Sequence, residues 1–125
     1  MTELDDLIPD SITFDEYEEQ ALDTAIYEGR LVYPLLGLVS EAGECADKVK
    51  KWMRDENLDI TRELTTQLTP EQKKALAYEL GDVLWYLSNV AADLDYSLEE
   101  IAMLNLDKLA SRKVRDKLHG SGDYR

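Results

Sequence analysis

The sequence predicts an all-α fold, a four-helix bundle completed by oligomerisation, on three observations. Capping boxes mark three helix starts, apolar residues recur at spacings of three and four, and no segment sustains the alternation of a strand.

The first helix is expected over about 14–28. Thr13 stands at its N-cap and Glu16 at the third helical position, with Ile12 and Tyr17 placed as a hydrophobic staple. The second helix, about 34–54, is entered near Pro34 and runs through Leu35, Leu38, Val39, Ala42, Ala46 and Val49 at helical spacing. Residues 55–68 are polar, lack sustained periodicity and read as a loop. The third helix, about 70–94, opens on Thr69-Pro70-Glu71-Gln72, with Pro70 at the first helical position, where no hydrogen-bond donor is lost. Its expected buried stripe is Leu76, Leu80, Val83, Leu84, Leu87, Val90 and Leu94. The fourth, about 98–114, opens on Ser97-Leu98-Glu99-Glu100 with Tyr96 and Ile101 as staple, and carries Leu98, Ile101, Leu104 and Leu109. Residues 1–125 read as one domain, with 1–12 and 115–125 as flexible tails. Gly120 and Gly122 argue against regular structure at the C-terminal end.

A chain of 125 residues that is 44% hydrophobic can own a core and does not read as disordered. Acidic residues outnumber basic ones, 27 to 14, which disfavours a nucleic-acid polymer as partner. A nucleotide remains possible, because a divalent metal can bridge carboxylates to phosphates. The single cysteine, Cys45, permits no intrachain disulfide, which fits a reducing cytoplasm, and it reads as a small core residue. No run of about 18 apolar residues is present. The acidic N-terminus lacks the basic start of a signal peptide, and the expected location is cytoplasmic, away from any membrane.

The chemistry is expected at four acids. Glu41 and Glu44 are three apart on the second helix, and Glu79 and Asp82 three apart on the third, so each pair shares a helix face. Leu38, Ala42 and Cys45 border the first pair; Leu76, Leu80, Val83 and Tyr86 border the second. A glycine, Gly43 or Gly81, lies within each pair. A mid-helix glycine costs roughly 0.5–1 kcal/mol relative to alanine, so two at matching places suggest close backbone approach or room for a ligand. If the helices pack antiparallel, four carboxylates converge, and a hard divalent cation would relieve their repulsion. Mg²⁺ suits the set because it keeps waters and accepts phosphate oxygens, with Mn²⁺ as a possible substitute. Solvated surface acids are the bland alternative, weakened by the recurrence of two pairs beside core positions. A di-iron carboxylate site would need Glu-x-x-His motifs. The lone histidine, His119, lies in the tail, and a zinc site of Cys/His type is equally unsupported.

Ser40-Glu41-Ala42-Gly43-Glu44, followed by Glu79-Leu80-Gly81-Asp82-Val83-Leu84-Trp85-Tyr86, resembles the all-α nucleotide pyrophosphohydrolases of the MazG-like type. The likeness extends through Asn105-Leu106-Asp107-Lys108-Leu109-Ala110-Ser111-Arg112 and His119-Gly120-Ser121-Gly122-Asp123, covering roughly residues 33–125. The resemblance implies a helical core assembled as a homo-oligomer, dimer or tetramer. It also implies Mg²⁺-dependent hydrolysis of nucleoside triphosphates to monophosphate and pyrophosphate, in nucleotide-pool housecleaning. The family motif, EExxE followed by ExxD, assigns Glu41, Glu44, Glu79 and Asp82 as metal ligands and catalytic residues, one of them, such as Glu41, serving as general base. Ser40 stands where the first acid of the motif is expected. In some relatives that acid activates the attacking water or holds an extra metal, so here the role passes to another carboxylate or the number of metals is lower.

Substrate contacts are expected from Asn105, Lys108 and Arg112, spaced three and four apart on the last helix, and from Lys51 and Lys48 after the first acid pair. Lysine and arginine also suit a helix C-terminus on electrostatic grounds alone. Trp52 and Tyr86 are placed to stack on a base or to pack in the core, while Trp85 is expected in a helix or subunit interface. The competing function is a non-catalytic acidic helical module that binds a protein partner.

Overall fold

The computed structural model describes residues 9–115. The expected tails therefore lie mostly outside the described residues, and His119 with them. Among the described residues the fold is four helices and no strand: α1 Phe14–Asp23, α2 Val32–Glu56, α3 Pro70–Asp93 and α4 Leu98–Val114. None of them is long and apolar enough to cross a membrane.

All three capping boxes form as expected. Thr13 Oγ1 accepts the Glu16 N–H at 3.2 Å, and the Glu16 carboxylate accepts the Thr13 N–H at 2.8 Å. Thr69 and Gln72, and Ser97 and Glu100, repeat the reciprocal pair. Each box satisfies two donors that a helix start would otherwise leave without partners.

The first helix is shorter than expected. It ends at Asp23 because Thr24 turns its hydroxyl onto the Ala21 carbonyl at 2.9 Å and accepts the Trp85 indole N–H at 2.8 Å. The chain then runs irregularly to Leu31, where the Val32 N–H donates to the Arg30 carbonyl at 2.7 Å across a residue with φ 62° and ψ −57°. Those angles describe a classic γ-turn, which is strained for leucine. Asp93, at the end of α3, holds it from outside: its carboxylate accepts from the Leu31 N–H at 2.6 Å and from Arg30 Nε at 3.3 Å. The start of α2 is thus capped by another helix, two residues earlier than the sequence suggests. Pro34 falls within the first turn, where its missing N–H costs nothing.

The α2–α3 pair is the main contact of the fold, and it is antiparallel. Gly37 near the start of α2 faces Tyr86 near the end of α3, and Glu56 at the end of α2 accepts from Gln72 Nε2, at the start of α3, at 2.5 Å. Helix α1 packs on α3 and α4, and Glu18 of α1 accepts the first N–H of α4, from Leu98. Helix α4 touches α1 and α3 but makes no packing contact with α2.

Among the described residues the buried apolar set is small: Ala21, Pro34, Val90, Ala91 and Leu98. Leu80 and Leu94, expected on the buried stripe of α3, are exposed, at 55% and 49%. Leu35, Val39, Leu104 and Leu109 are exposed too. Among the described residues only α3 packs along α2, and no helix forms a second layer over these stripes.

Candidate metal centre

The antiparallel register places the two acid pairs opposite one another. Gly37 and Glu41 are four apart on α2, and Asp82 and Tyr86 four apart on α3, so each pair shares one helix face. With Gly37 against Tyr86, Glu41 falls one turn along, against Asp82. The close approach depends on the missing side chain: a Cβ on Gly37 would lie 2.5 Å from Cδ1 and Cζ of the Tyr86 ring. Tyr86 is held from its other sides by Trp85, edge-on with centroids 4.9 Å apart, and by Tyr33 at 6.5 Å. Sequence reasoning did not single out Gly37. The signal was its spacing of four from Glu41, mirrored by Tyr86 and Asp82.

Glu41, Glu79 and Asp82 form the centre. One carboxylate oxygen from each lies within 4.8 Å of the others; Glu41 and Glu79 are half-buried and Asp82 exposed. Glu44 is exposed and outside this trio, although its charge is felt there. Burial, and then the charges of Asp82, Glu79 and Glu44, raise the Glu41 carboxyl above its ordinary pKa. Two tyrosines border the acids. Tyr86 is raised by burial, by Tyr33 and by Glu41 and Asp82; Tyr17 of α1 is raised by burial and by Asp82. Tyr17, expected only as a staple residue, therefore also brings a phenol to the edge of the acids.

The oxygens present suit a hard divalent cation. Glu41, Glu79 and Asp82, with one oxygen each within 4.8 Å of the others, are the residues that would be drawn onto such an ion. Two helices supply the three carboxylates, which leaves coordination positions for water or phosphate oxygens. Burial is the first cause of the raised Glu41 carboxyl, and the repulsion of Asp82, Glu79 and Glu44, which a cation would relieve, adds to it.

The matching glycines mark no close approach among the described residues. A Cβ at Gly43 or at Gly81 would meet nothing within 4 Å, so both stand beside open space. On the same two helices Ala42, Cys45, Val49, Met53, Leu76 and Leu80 line an open apolar groove of about 530 Å³. Cys45 is half-buried there.

The lysines of α2 divide between two tasks. Lys48 Nζ is 3.1 Å from Glu79 Oε1, across the helix interface. Lys50 and Lys51 both reach Asp47 at 2.6 Å, and their hydrogen bonds push its carboxyl down to about 2. Trp52 is half-buried on α2, two turns beyond Glu44. Asn105 and Lys108 line a shallow depression on α4 with Ile101 and Leu104, and Arg112 follows one turn on. Among the described residues α4 packs on α1 and α3 and not on α2, the helix that carries Glu41. Trp85 sits in a helix interface, as expected, bonded to Thr24 and edge-on to Tyr27 at 5.9 Å.

Residues 34–115 match the family model described as the MazG nucleotide pyrophosphohydrolase domain, a span that contains all four acids. The chain is 44% identical over 119 residues to the "Gene 37 protein" of Mycobacterium phage L5, an alignment covering 89% of this chain and 97% of that relative. No solved structure matches it.

Proposed function

Since the chain belongs to the MazG nucleotide pyrophosphohydrolase family, we propose that it hydrolyses nucleoside triphosphates to monophosphate and pyrophosphate in a Mg²⁺-dependent reaction. The observation that carries this reading is the convergence of Glu41, Glu79 and Asp82 within the family segment. Solvated surface acids have no reason to meet across a helix interface at mutual repulsion, with two of the three half-buried. A housecleaning role toward the nucleotide pool is the corresponding cellular task.

Glu41, Glu79 and Asp82 would hold the cation. When bound, it would neutralise phosphate charge and acidify a water for attack. Glu44 stands outside the trio and is the acid left to accept the water's proton, the part that the missing acid at Ser40 would otherwise share. Water attacks phosphorus, the bond between the α-phosphate and the bridging oxygen breaks, and pyrophosphate leaves. Asn105, Lys108 and Arg112 of α4, with Lys51, are assigned to the phosphates, and Trp52 to the base. Tyr86 is assigned to the wall of the pocket, because Gly37, Trp85 and Tyr33 already hold its ring.

The site is assigned to a homo-oligomer, a dimer or tetramer. Leu36, Val39 and Leu106 are each about two-thirds exposed, at 67%, 68% and 65%, and Leu35, Leu104 and Leu109 are exposed too. Apolar surface on this scale marks a contact face, and symmetric dimers are the commonest way to cover one.

The test is a pyrophosphate-release screen over ordinary and modified ribo- and deoxyribonucleoside triphosphates, with Mg²⁺, with Mn²⁺ and with chelator. Release with either metal and none with chelator is the expected pattern. No release from any nucleotide would favour the acidic interaction module instead.

A further inference from the structure

We propose that Lys48 is the built-in counter-ion of the acid centre: its ammonium holds Glu79 in the metal-free chain and gives that carboxylate up when a divalent cation enters. The inference rests on Glu41, Glu79 and Asp82 being the cation ligands.

Three lysines, within about one turn of one another, follow the first acid pair, and only one of them crosses to α3. Lys50 and Lys51 are bound to Asp47 on their own helix, while Lys48 reaches Glu79 at 3.1 Å. The Lys48–Glu79 pair is also more enclosed, with side chains 33% and 20% exposed, against 70% and 54% for Lys50 and Lys51. Lys48 therefore sits against one member of the three clustered carboxylates.

An ammonium there does two things. It offsets part of the repulsion among three carboxylates whose oxygens crowd within 4.8 Å, and it fixes the direction of Glu79. It cannot replace the cation, because its hydrogen bonds hold oxygens near 3 Å whereas Mg²⁺ draws them to about 2.1 Å. A divalent ion entering the trio would compete for the lone pairs of Glu79 and would repel the ammonium. Lys48 thus stabilises the metal-free chain and opposes cation binding. A lysine that merely decorates the surface would do neither.

The test uses the full chain without nucleotide, so that no step depends on turnover. Wild type, Lys48→Met, Lys48→Arg and Lys50→Met are each titrated with Mg²⁺ or Mn²⁺ alone by calorimetry, and melted in the presence of a chelator. Lys48→Met should bind the cation about fivefold more tightly, the upper end for a partly exposed ion pair, and should melt at lower temperature than wild type in chelator. Lys48→Arg, which keeps the charge, should restore wild-type behaviour in both measurements. Lys50→Met removes an equal charge from the same turn and should change cation affinity less than twofold. Equal or weaker binding by Lys48→Met while wild type binds well would overturn the role of Lys48 alone. Failure of wild type to bind either cation would overturn the ligand assignment itself, and this inference with it.

Discussion

Replacing Gly37 by alanine places a methyl group against the ring of Tyr86. The added Cβ would stand 2.5 Å from two ring carbons, far inside contact distance. The ring has little room to yield, because Trp85 meets it edge-on at 4.9 Å and Tyr33 stands at 6.5 Å. Overpacking of this kind costs about 1–3 kcal/mol. Alanine returns about 0.5–1 kcal/mol of helix preference over glycine. The net loss is therefore about 0–2.5 kcal/mol, a fall in melting temperature of up to roughly 10 °C for a domain of this size. Gly43→Ala and Gly81→Ala are matched controls, since nothing lies within 4 Å of either new methyl; each should gain about 0.5–1 kcal/mol. The assay is thermal unfolding followed by circular dichroism at one fixed protein concentration, because association shifts the midpoint. In a Tyr86→Ala background the clash vanishes, and Gly37→Ala should become neutral or stabilising. A Gly37→Ala chain as stable as the two controls would refute the register of α2 on α3, and the convergence of Glu41 and Asp82 one turn away would fall with it.

Other outcomes follow from the same contacts. Glu41 has its carboxyl raised above 4.5 in the folded chain, so the folded state binds more protons than the unfolded one just above that pH. Its charge then destabilises the metal-free protein increasingly as pH rises through that window. Glu41→Gln should accordingly be more stable than wild type at pH 7 in chelator and no more stable at pH 4, whereas a gain independent of pH would contradict the cause. Asp93→Ala removes the acceptor for the Leu31 N–H and should cost about 1–2 kcal/mol, the range for a lost helix cap, in a urea unfolding curve. Lys108→Ala should raise KM for the triphosphate with little loss of melting temperature; an unchanged KM would remove Lys108 from the phosphate site.

The parts of the fold that were legible in the sequence are those fixed within one turn. Thr13, Thr69 and Ser97 cap their helices as their neighbours Glu16, Gln72 and Glu100 require. The parts that were not legible are fixed by residues distant in sequence. The end of α1 is set by the Trp85 indole, 61 positions away, and the start of α2 by Asp93, 62 positions from Leu31. Three of the four acids were brought together as the i, i+3 pattern suggested. Glu44 was not, because a shared helix face does not fix which of two acids turns inward. The apolar stripes were recognised as stripes, but periodicity alone does not say whether the covering surface comes from the same chain, and Leu80 and Leu94 remain exposed.

The most direct measurement compares Mg²⁺-dependent pyrophosphate release by wild type with that by Glu79→Gln and Asp82→Asn, with helical content recorded on the same samples. Both variants should keep their helices and lose release to the level of the chelated wild type. Helical variants that still release pyrophosphate at the wild-type rate would show that the centre built from Glu41, Glu79 and Asp82 does not perform the reaction.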